Sequence, residues 1–289
     1  MKKLIILLLA TFQISQIYSQ EFEKLGANDS TGRYIKVNDI VMYFECYGSG
    51  HPLLLVHGNN GSMKSFYYQV KDFSKKFKVY AVDSRAQGKT SDSSEELSYA
   101  QMASDLAVLL DSLGLDSVYY YGHSDGAIIG LELAYAHPEK IKKMVIGSGN
   151  FLCDSTAIFS RALDEVKKWE YNEFNPAMNN FLYEASKSRE EDSIKFEKLK
   201  LVLVKYPNFT IQQLIKIKTP SLILAADHDL IRDEHTLTLF RALPNSYLCI
   251  LPGTTHVLRW EKPELVNQIV SDFFLTPFKK IDRFWFFEK

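Results

Sequence analysis

Val118-Tyr119-Tyr120-Tyr121-Gly122-His123-Ser124-Asp125-Gly126-Ala127 is the stretch on which the reading of this chain turns. Its first four residues favour an extended strand, and the run that follows, Ala127-Ile128-Ile129-Gly130-Leu131-Glu132-Leu133-Ala134, has helical spacing. A G-x-S-x-G string between a strand and a helix has the form of a nucleophile elbow, in which a serine sits at a sharp backbone corner. The two glycines are expected to be steric: a Cβ at either position would strike the neighbouring strand or helix. Such strings also occur as chance turns, so the flanking strand and helix carry the reading.

Working outward, residues 33–37 and 40–47 read as two strands joined by the Asn38-Asp39 turn. Leu53-Leu54-Leu55-Val56 is a continuous apolar run, as expected of a strand buried on both faces, and it ends at His57-Gly58-Asn59-Asn60. A helix over about 64–76 and a strand over 78–82 follow, then Asp83-Ser84-Arg85-Ala86-Gln87-Gly88. Residues 98–113 repeat apolar side chains with helical period and stop at Gly114. Beyond the elbow come a short strand at 144–146, a strand at 221–226, a helix near 233–243, a strand at 247–251 and a last helix near 263–274. Strands alternating with helices predict an α/β fold with a mostly parallel, doubly wound sheet. Residues 150–215 break the alternation with amphipathic stretches rich in aromatics (Phe159, Trp169, Tyr171, Phe174, Phe181, Tyr183), which predicts a helical cap inserted into the sheet domain. The core is therefore expected in two parts, 20–149 and 216–289, the second ending in a basic and aromatic tail from Phe278.

Composition narrows the classes. A chain of 289 residues, 46% of them hydrophobic, can bury a sizeable core. Its net charge of -1 offers no basic excess to meet phosphates, so nucleic acid is not expected as a partner. The mixed-charge run 187–200 reads as a solvated helix face. Met1-Lys2-Lys3 followed by the apolar run 4–10 reads as a secretory signal peptide over 1–19, far short of the roughly 20 apolar residues of a membrane span. The mature protein is then expected to be periplasmic or secreted, with no stable membrane span after cleavage. Three scattered cysteines, Cys46, Cys153 and Cys249, form no disulfide framework or zinc cluster, and Cys46 and Cys249 read as small buried residues. Nothing in the sequence sets an oligomeric state.

A serine hydroxyl is a poor nucleophile near neutral pH and needs a base held in the right tautomer. Leu222-Ile223-Leu224-Ala225-Ala226-Asp227-His228-Asp229 is an apolar strand that delivers a carboxylate at its end, from either Asp227 or Asp229. Pro252-Gly253-Thr254-Thr255-His256 follows the last strand and delivers an imidazole. The chain order is serine, acid, histidine.

Four stretches taken together, His57-Gly58 after a strand, 83–88, 122–126, and Gly253-Thr254-Thr255-His256 followed by Glu261-Lys262-Pro263-Glu264, resemble the α/β-hydrolase fold family over nearly the whole mature chain. The resemblance implies Ser124 as nucleophile, His256 as general base and acid, and Asp229, which precedes the apolar pair Leu230-Ile231, as the orienting carboxylate. Asp227 is then a turn residue bonded to local backbone N–H groups. The backbone N–H groups of Asn59 and Asp125 would form the oxyanion hole. His57 would brace that loop, and Arg85 would hold its own loop by hydrogen bonds. His123 and His228 are set aside as bases, and His51, His137 and His235 read as loop or surface helix positions.

The expected reaction is hydrolysis of small or medium carboxylic esters through an acyl-enzyme, with no metal or cofactor. Asp125 departs from the apolar residue or glutamine usual after the nucleophile. A carboxylate so close to a developing oxyanion opposes it unless a cation offsets it. The G-x-S-D-G form is similar to the biphenyl-hydrolase-like branch, whose members include hydrolases of α-amino-acid esters, which makes Asp125 a candidate to hold a substrate ammonium; the alternative is that its side chain points aside and pairs with a cap residue or the helix end. Trp169 is a candidate for the apolar pocket wall. Carbon–carbon bond hydrolases, lactonases and cofactor-free haloperoxidases share the serine triad and stay open. Epoxide hydrolase and haloalkane dehalogenase chemistry needs an aspartate where Ser124 stands. A non-catalytic binding protein on the same fold is the reading from a different class.

Overall fold

The computed structural model describes residues 24–93, 96–171, 184–282 and 284–287. In chain order the first half contains β1 (Gly32–Val37), β2 (Ile40–Tyr47), β3 (Pro52–Val56), α1 (Tyr67–Phe73), β4 (Lys78–Val82), α2 (Tyr99–Ser112), β5 (Val118–His123), α3 (Asp125–Ala136) and β6 (Ile141–Gly147). The cap segment follows with α4 (Ser160–Lys168), α5 (Arg189–Lys205) and α6 (Ile211–Lys216). The chain then returns to the sheet with β7 (Ser221–His228), α7 (Asp233–Ala242), β8 (Ser246–Thr255), α8 (Leu258–Glu261) and α9 (Pro263–Leu275).

The eight strands form one sheet in the order β1-β2-β4-β3-β5-β6-β7-β8, antiparallel at β1-β2-β4 and parallel thereafter. The apolar runs are continuous because helices cover both faces. Leu54, Val56, Tyr120 and Ile146 point into one layer with residues of α2 and α3, while Leu53, Leu55, Tyr121 and Val145 point into the other with α1 and α9. Helix α3 is buried nearly all round, as its apolar composition requires of a helix packed between the sheet and its neighbours. Ser98 caps α2 by accepting from the Gln101 N–H, and Gly114 follows its end with φ +65°. The chain after β3 goes to β4 on one side, and β5 lies on the other. This reversal opens a crevice at the carboxyl ends of the strands, where ligands bind in open α/β sheets.

Some elements differ from the sequence expectation, each for a physical reason. The helix expected over 64–76 is a 3-10 turn at Met63–Phe66 followed by α1. Strand β6 begins at Ile141 rather than at 144, because Lys142 and Lys143 interrupt the apolar pattern. Lys143 is nonetheless buried: its ammonium donates to the Phe273 and Phe274 carbonyls at 2.9 and 3.0 Å, and to that of Thr276, capping the end of α9. Strand β8 runs past 251 to Thr255, since pairing with β7 resumes beyond an irregularity between Ala226 and His228. The run 187–200 lies largely within α5, but it is not simply a solvated face. Phe196, Leu199 and Val202 are buried in the core, and Lys195, 1% exposed, is paired with Glu191 and Ser186. Cys46 and Cys249 are half-buried rather than buried, and all three cysteines are free.

The tail begins packed and ends exposed. Phe278 stacks on Tyr247 with ring centroids 4.7 Å apart, whereas Phe284, Phe286 and Phe287 face outward. Among the described residues no helix is long and apolar enough to cross a membrane. The segment 1–19 and the cap aromatics Phe174, Phe181 and Tyr183 lie outside the described residues.

Candidate active site

Strand β5 ends at His123, helix α3 starts at Asp125, and Ser124 alone makes the turn, with φ 55° and ψ −120°. A non-glycine residue in that region is strained by about 1–3 kcal/mol and is held there by its surroundings. The Ser124 N–H donates to the Gly147 carbonyl at 2.8 Å, and its carbonyl accepts from Ala127 at 2.8 Å, which pins both sides of the corner. A Cβ on Gly122 would lie 2.0 Å from the Gly126 carbonyl oxygen, and one on Gly126 would lie 2.0 Å from that of Val56. Glycine is therefore required at both places by contact with helix α3 and strand β3.

The ends of β7 and β8 bring two more groups to this corner. His256 Nε2 lies 3.0 Å from Ser124 Oγ, and His256 Nδ1 lies 2.6 Å from Asp229 Oδ1. With the proton on Nδ1 donated to the carboxylate, Nε2 is left to accept from the serine hydroxyl. Asp229 is buried, and burial alone would raise its pKa. The hydrogen bond and charge of His256, the Ser148 hydroxyl at 2.6 Å and the Ile231 N–H outweigh it and hold the carboxyl below its ordinary value. Asp227 points elsewhere, accepting from the backbone N–H groups of Gly253 and Thr254 at 2.8 and 3.0 Å. Those bonds lower its pKa, and they fix the loop that carries His256.

Ser148 is a residue that sequence reasoning missed. It sits just past β6 with φ +47°, bonded through its N–H to the Leu224 carbonyl. The Gly147-Ser148-Gly149 run at a strand end was the available signal, since a hydroxyl there faces the neighbouring strand end.

The carboxyl end of β3 supplies the other wall. Gly58 packs so close to Ser124 that a Cβ on it would lie 3.0 Å from the serine Cβ. Asn59 thus follows directly on the residue in contact with the nucleophile, and Asp125 begins α3, where unpaired N–H groups and the helix dipole favour negative charge. His57 is buried between them and the 83–88 loop: it donates from Nδ1 to the Gly58 carbonyl at 2.8 Å and accepts at Nε2 from the Ser84 N–H at 3.0 Å. Burial lowers its pKa to about 4, so it stays neutral and braces the loop. Arg85 is likewise committed to its loop, bonded to Asp105, Asp39 and Ser93.

The Asp125 side chain is 2% exposed. Its Oδ2 accepts from the Asn59 amide at 2.8 Å, and that amide also donates to the Leu199 carbonyl on α5 of the cap. Oδ1 has no hydrogen-bond partner among the described residues, and the Tyr99 hydroxyl, likewise without one, is near enough to the carboxyl to pull its pKa down. Burial raises the carboxyl pKa to about 6, against the opposing pull of Asn59, Tyr99 and the charge of His256. No cationic side chain among the described residues forms an ion pair with it.

These groups line a cavity of about 320 Å³ that opens on Ser124. Trp169, Val166 and Leu203 of the cap line it together with Tyr206, Ile128 and Tyr99. Among the described residues no group of three or more His, Cys, Asp or Glu side chains is placed to hold a metal ion. His228 is exposed. His235, expected at the surface, is instead buried: it stacks on Phe151 at 3.9 Å and accepts from the Phe151 N–H. It faces inward because α7 presents it to the chain that enters the cap.

The comparisons with known proteins agree with this architecture. Residues 51–181 match the family described as alpha/beta hydrolase fold. RutD of Azorhizobium caulinodans, assigned as a carbamate hydrolase, is 25% identical over 260 residues, spanning 83% of this chain and 97% of its own. The serine hydrolase BPHL of Homo sapiens is 27% identical over 255 residues, spanning 84% of this chain and 86% of its own. Among solved structures, the carboxylesterase CesB (YbfK) of Bacillus subtilis superposes with a TM-score of 0.70 at 21% identity, covering 91% of this chain and 98% of that one.

Proposed function

We propose that this chain, whose residues 51–181 match the family described as alpha/beta hydrolase fold, is a serine hydrolase of that fold cleaving carboxylic esters of small or medium substrates. The observation that carries this reading is the hydrogen-bonded line from Ser124 through His256 to Asp229. In the proposed reaction His256 Nε2 takes the Ser124 proton as Oγ attacks the scissile carbonyl. The backbone N–H groups of Asn59 and Asp125 receive the oxyanion, a contribution typically worth a factor of about 10²–10³ per donor. His256 returns the proton to the leaving alcohol, and water then releases the acyl group from Ser124 by the same steps in reverse. Asp229, held by Ser148, orients the imidazole and stabilises its cation. A carbamate, an activated amide or a lactone would follow the same steps, so the bond cleaved is decided by the cavity rather than by the triad.

The finer part of the proposal concerns Asp125. It is a buried carboxylate that lines the cavity and keeps one oxygen unbonded. A substrate ammonium would supply the missing cation, which supports a preference for α-amino-acid esters. The test compares kcat/KM for an aryl ester of phenylalanine with that for its des-amino analogue. A preference of tenfold or more for the amine, about 1.4 kcal/mol in the transition state, supports the ammonium site, and Asp125→Asn should abolish it. Equal rates would leave a general carboxylesterase. The basic-then-apolar segment 1–19 supports export to the periplasm or beyond, which cell fractionation with a C-terminal tag would check.

A further inference from the structure

Arg259 is a second buried charge of this cavity, and the reaction above does not use it. It lies on α8, three residues past His256, and is 5% exposed. The guanidinium stacks against two rings, 5.4 Å from the Phe66 centroid and 4.9 Å from that of Trp260. Its Nε donates to the Ser65 carbonyl at 3.2 Å, and the Trp260 indole donates to the same oxygen at 2.6 Å. The Arg259 carbonyl is fixed in turn by Gln69. The side chain is therefore held firmly at its base and faces. Nη1 is buried and has no hydrogen-bond partner among the described residues, and neither has the buried hydroxyl of the adjoining Ser65. Both residues line the cavity that holds Ser124.

Among the described residues no carboxylate forms an ion pair with Arg259; Asp125 is bonded to Asn59, and Asp229 to His256 and Ser148. Instead its charge helps lower the pKa of two buried histidines, His57 and His123. Burial brings the guanidinium down only to about 10, so it is a cation at neutral pH. A buried cation with unmet donors is unfavourable in the empty protein and becomes favourable when an anion arrives.

We infer that Arg259 and Ser65 form a binding site for a carboxylate carried by the substrate, in the same cavity as the nucleophile. The planar fork of a guanidinium matches the two oxygens of a carboxylate, and a single positive charge suits a monoanion better than a phosphate dianion. The serine hydroxyl adds one neutral donor. The substrate class is then an ester with an acidic group away from the scissile bond, and the cation–π stack serves to hold the fork at a fixed angle. The inference rests on the hydrolase reading for its kinetic test only.

Two substrate pairs test it, one for each side of the scissile bond. They are monophenyl suberate against phenyl octanoate, and 3-carboxyphenyl butyrate against phenyl butyrate. The expected result is a kcat/KM ratio of tenfold or more in favour of the acid in at least one pair. That ratio should fall towards one in Arg259→Met, survive in part in Arg259→Lys, and shrink as salt is raised. A ratio of one or less in both pairs for the wild-type protein overturns the inference, as does a preference that persists in Arg259→Met. Calorimetry separates this from failure of the hydrolase reading, since it needs no turnover. 3-Phenylpropionate should bind the wild-type protein at least tenfold more tightly than its primary amide; equal binding overturns the carboxylate site whether or not any ester is cleaved.

Discussion

Replacing Asp125 by asparagine should make this protein more stable at neutral pH, by an amount that depends on pH in a defined way. The carboxyl is buried and titrates near 6 rather than at 3.8. Between those pH values the folded chain still holds a proton that the unfolded chain has released, so folding stability falls as pH rises through this window. At 1.36 kcal/mol per pH unit, the gap corresponds to a penalty of about 3 kcal/mol. The penalty is fully present above pH 6 and absent below about pH 4. Asparagine has the same shape, can accept from the Asn59 amide as Oδ2 does now, and carries no charge. The difference between variant and wild type should therefore grow from near zero at pH 4 to about 3 kcal/mol at pH 7–8, or a rise in Tm of about 6–12 °C for a chain of this size. Thermal melts of both proteins at half-unit pH steps give the difference directly, and titrating groups that are not coupled to Asp125 cancel in it. A difference that does not change with pH, or a variant less stable at pH 7, would refute the reasoning. The expected result is also the expected sign of a site kept for binding at the expense of stability.

Three further outcomes follow from the same geometry. Asp229→Asn should lower kcat by about 10⁴, as a wrong imidazole tautomer does in serine triads, whereas Asp227→Asn should cost less than about tenfold; kcat of both variants on one ester decides between the two acids. Ser148→Ala leaves Asp229 without its 2.6 Å donor, which should remove about 1.5–3 kcal/mol of stability at pH 7. Because the Asp229 pKa is depressed in the folded chain, its contribution is present above about pH 4 and is lost as pH falls, so the Tm gap between wild type and Ser148→Ala should narrow on acidification. Gly126→Ala would place a methyl 2.0 Å from the Val56 carbonyl oxygen, and moving β3 or α3 aside should cost about 3 kcal/mol or more. A circular dichroism melt within a degree of wild type would contradict that packing.

What could be read from the sequence was what a local pattern encodes. The strands buried on both faces announce themselves as apolar runs, the elbow by its two glycines, and α2 by its period and its stop at Gly114. The strand order pointed to His256 and to a carboxylate at 227 or 229, and only the family resemblance preferred Asp229. The features that escaped depend on neighbours distant in sequence. Lys143 concealed the start of β6 since its partner carbonyls lie at the end of α9, 130 residues on. His235 looked like a surface residue until Phe151 stacked on it. Ser148 and the Asn59 amide are ordinary polar residues whose value comes from the carboxylates they meet, and Arg259 carries no signal except its unbalanced burial. A local pattern records which face of an element is apolar; it does not record which charge lacks a partner.

The central claim is that Ser124 is an activated nucleophile, and the most direct measurement is stoichiometric labelling with a fluorophosphonate, mapped by peptide mass spectrometry. One adduct per chain is expected, on Ser124, with much slower labelling in His256→Ala. An unlabelled protein, or an adduct on any other residue, would contradict it.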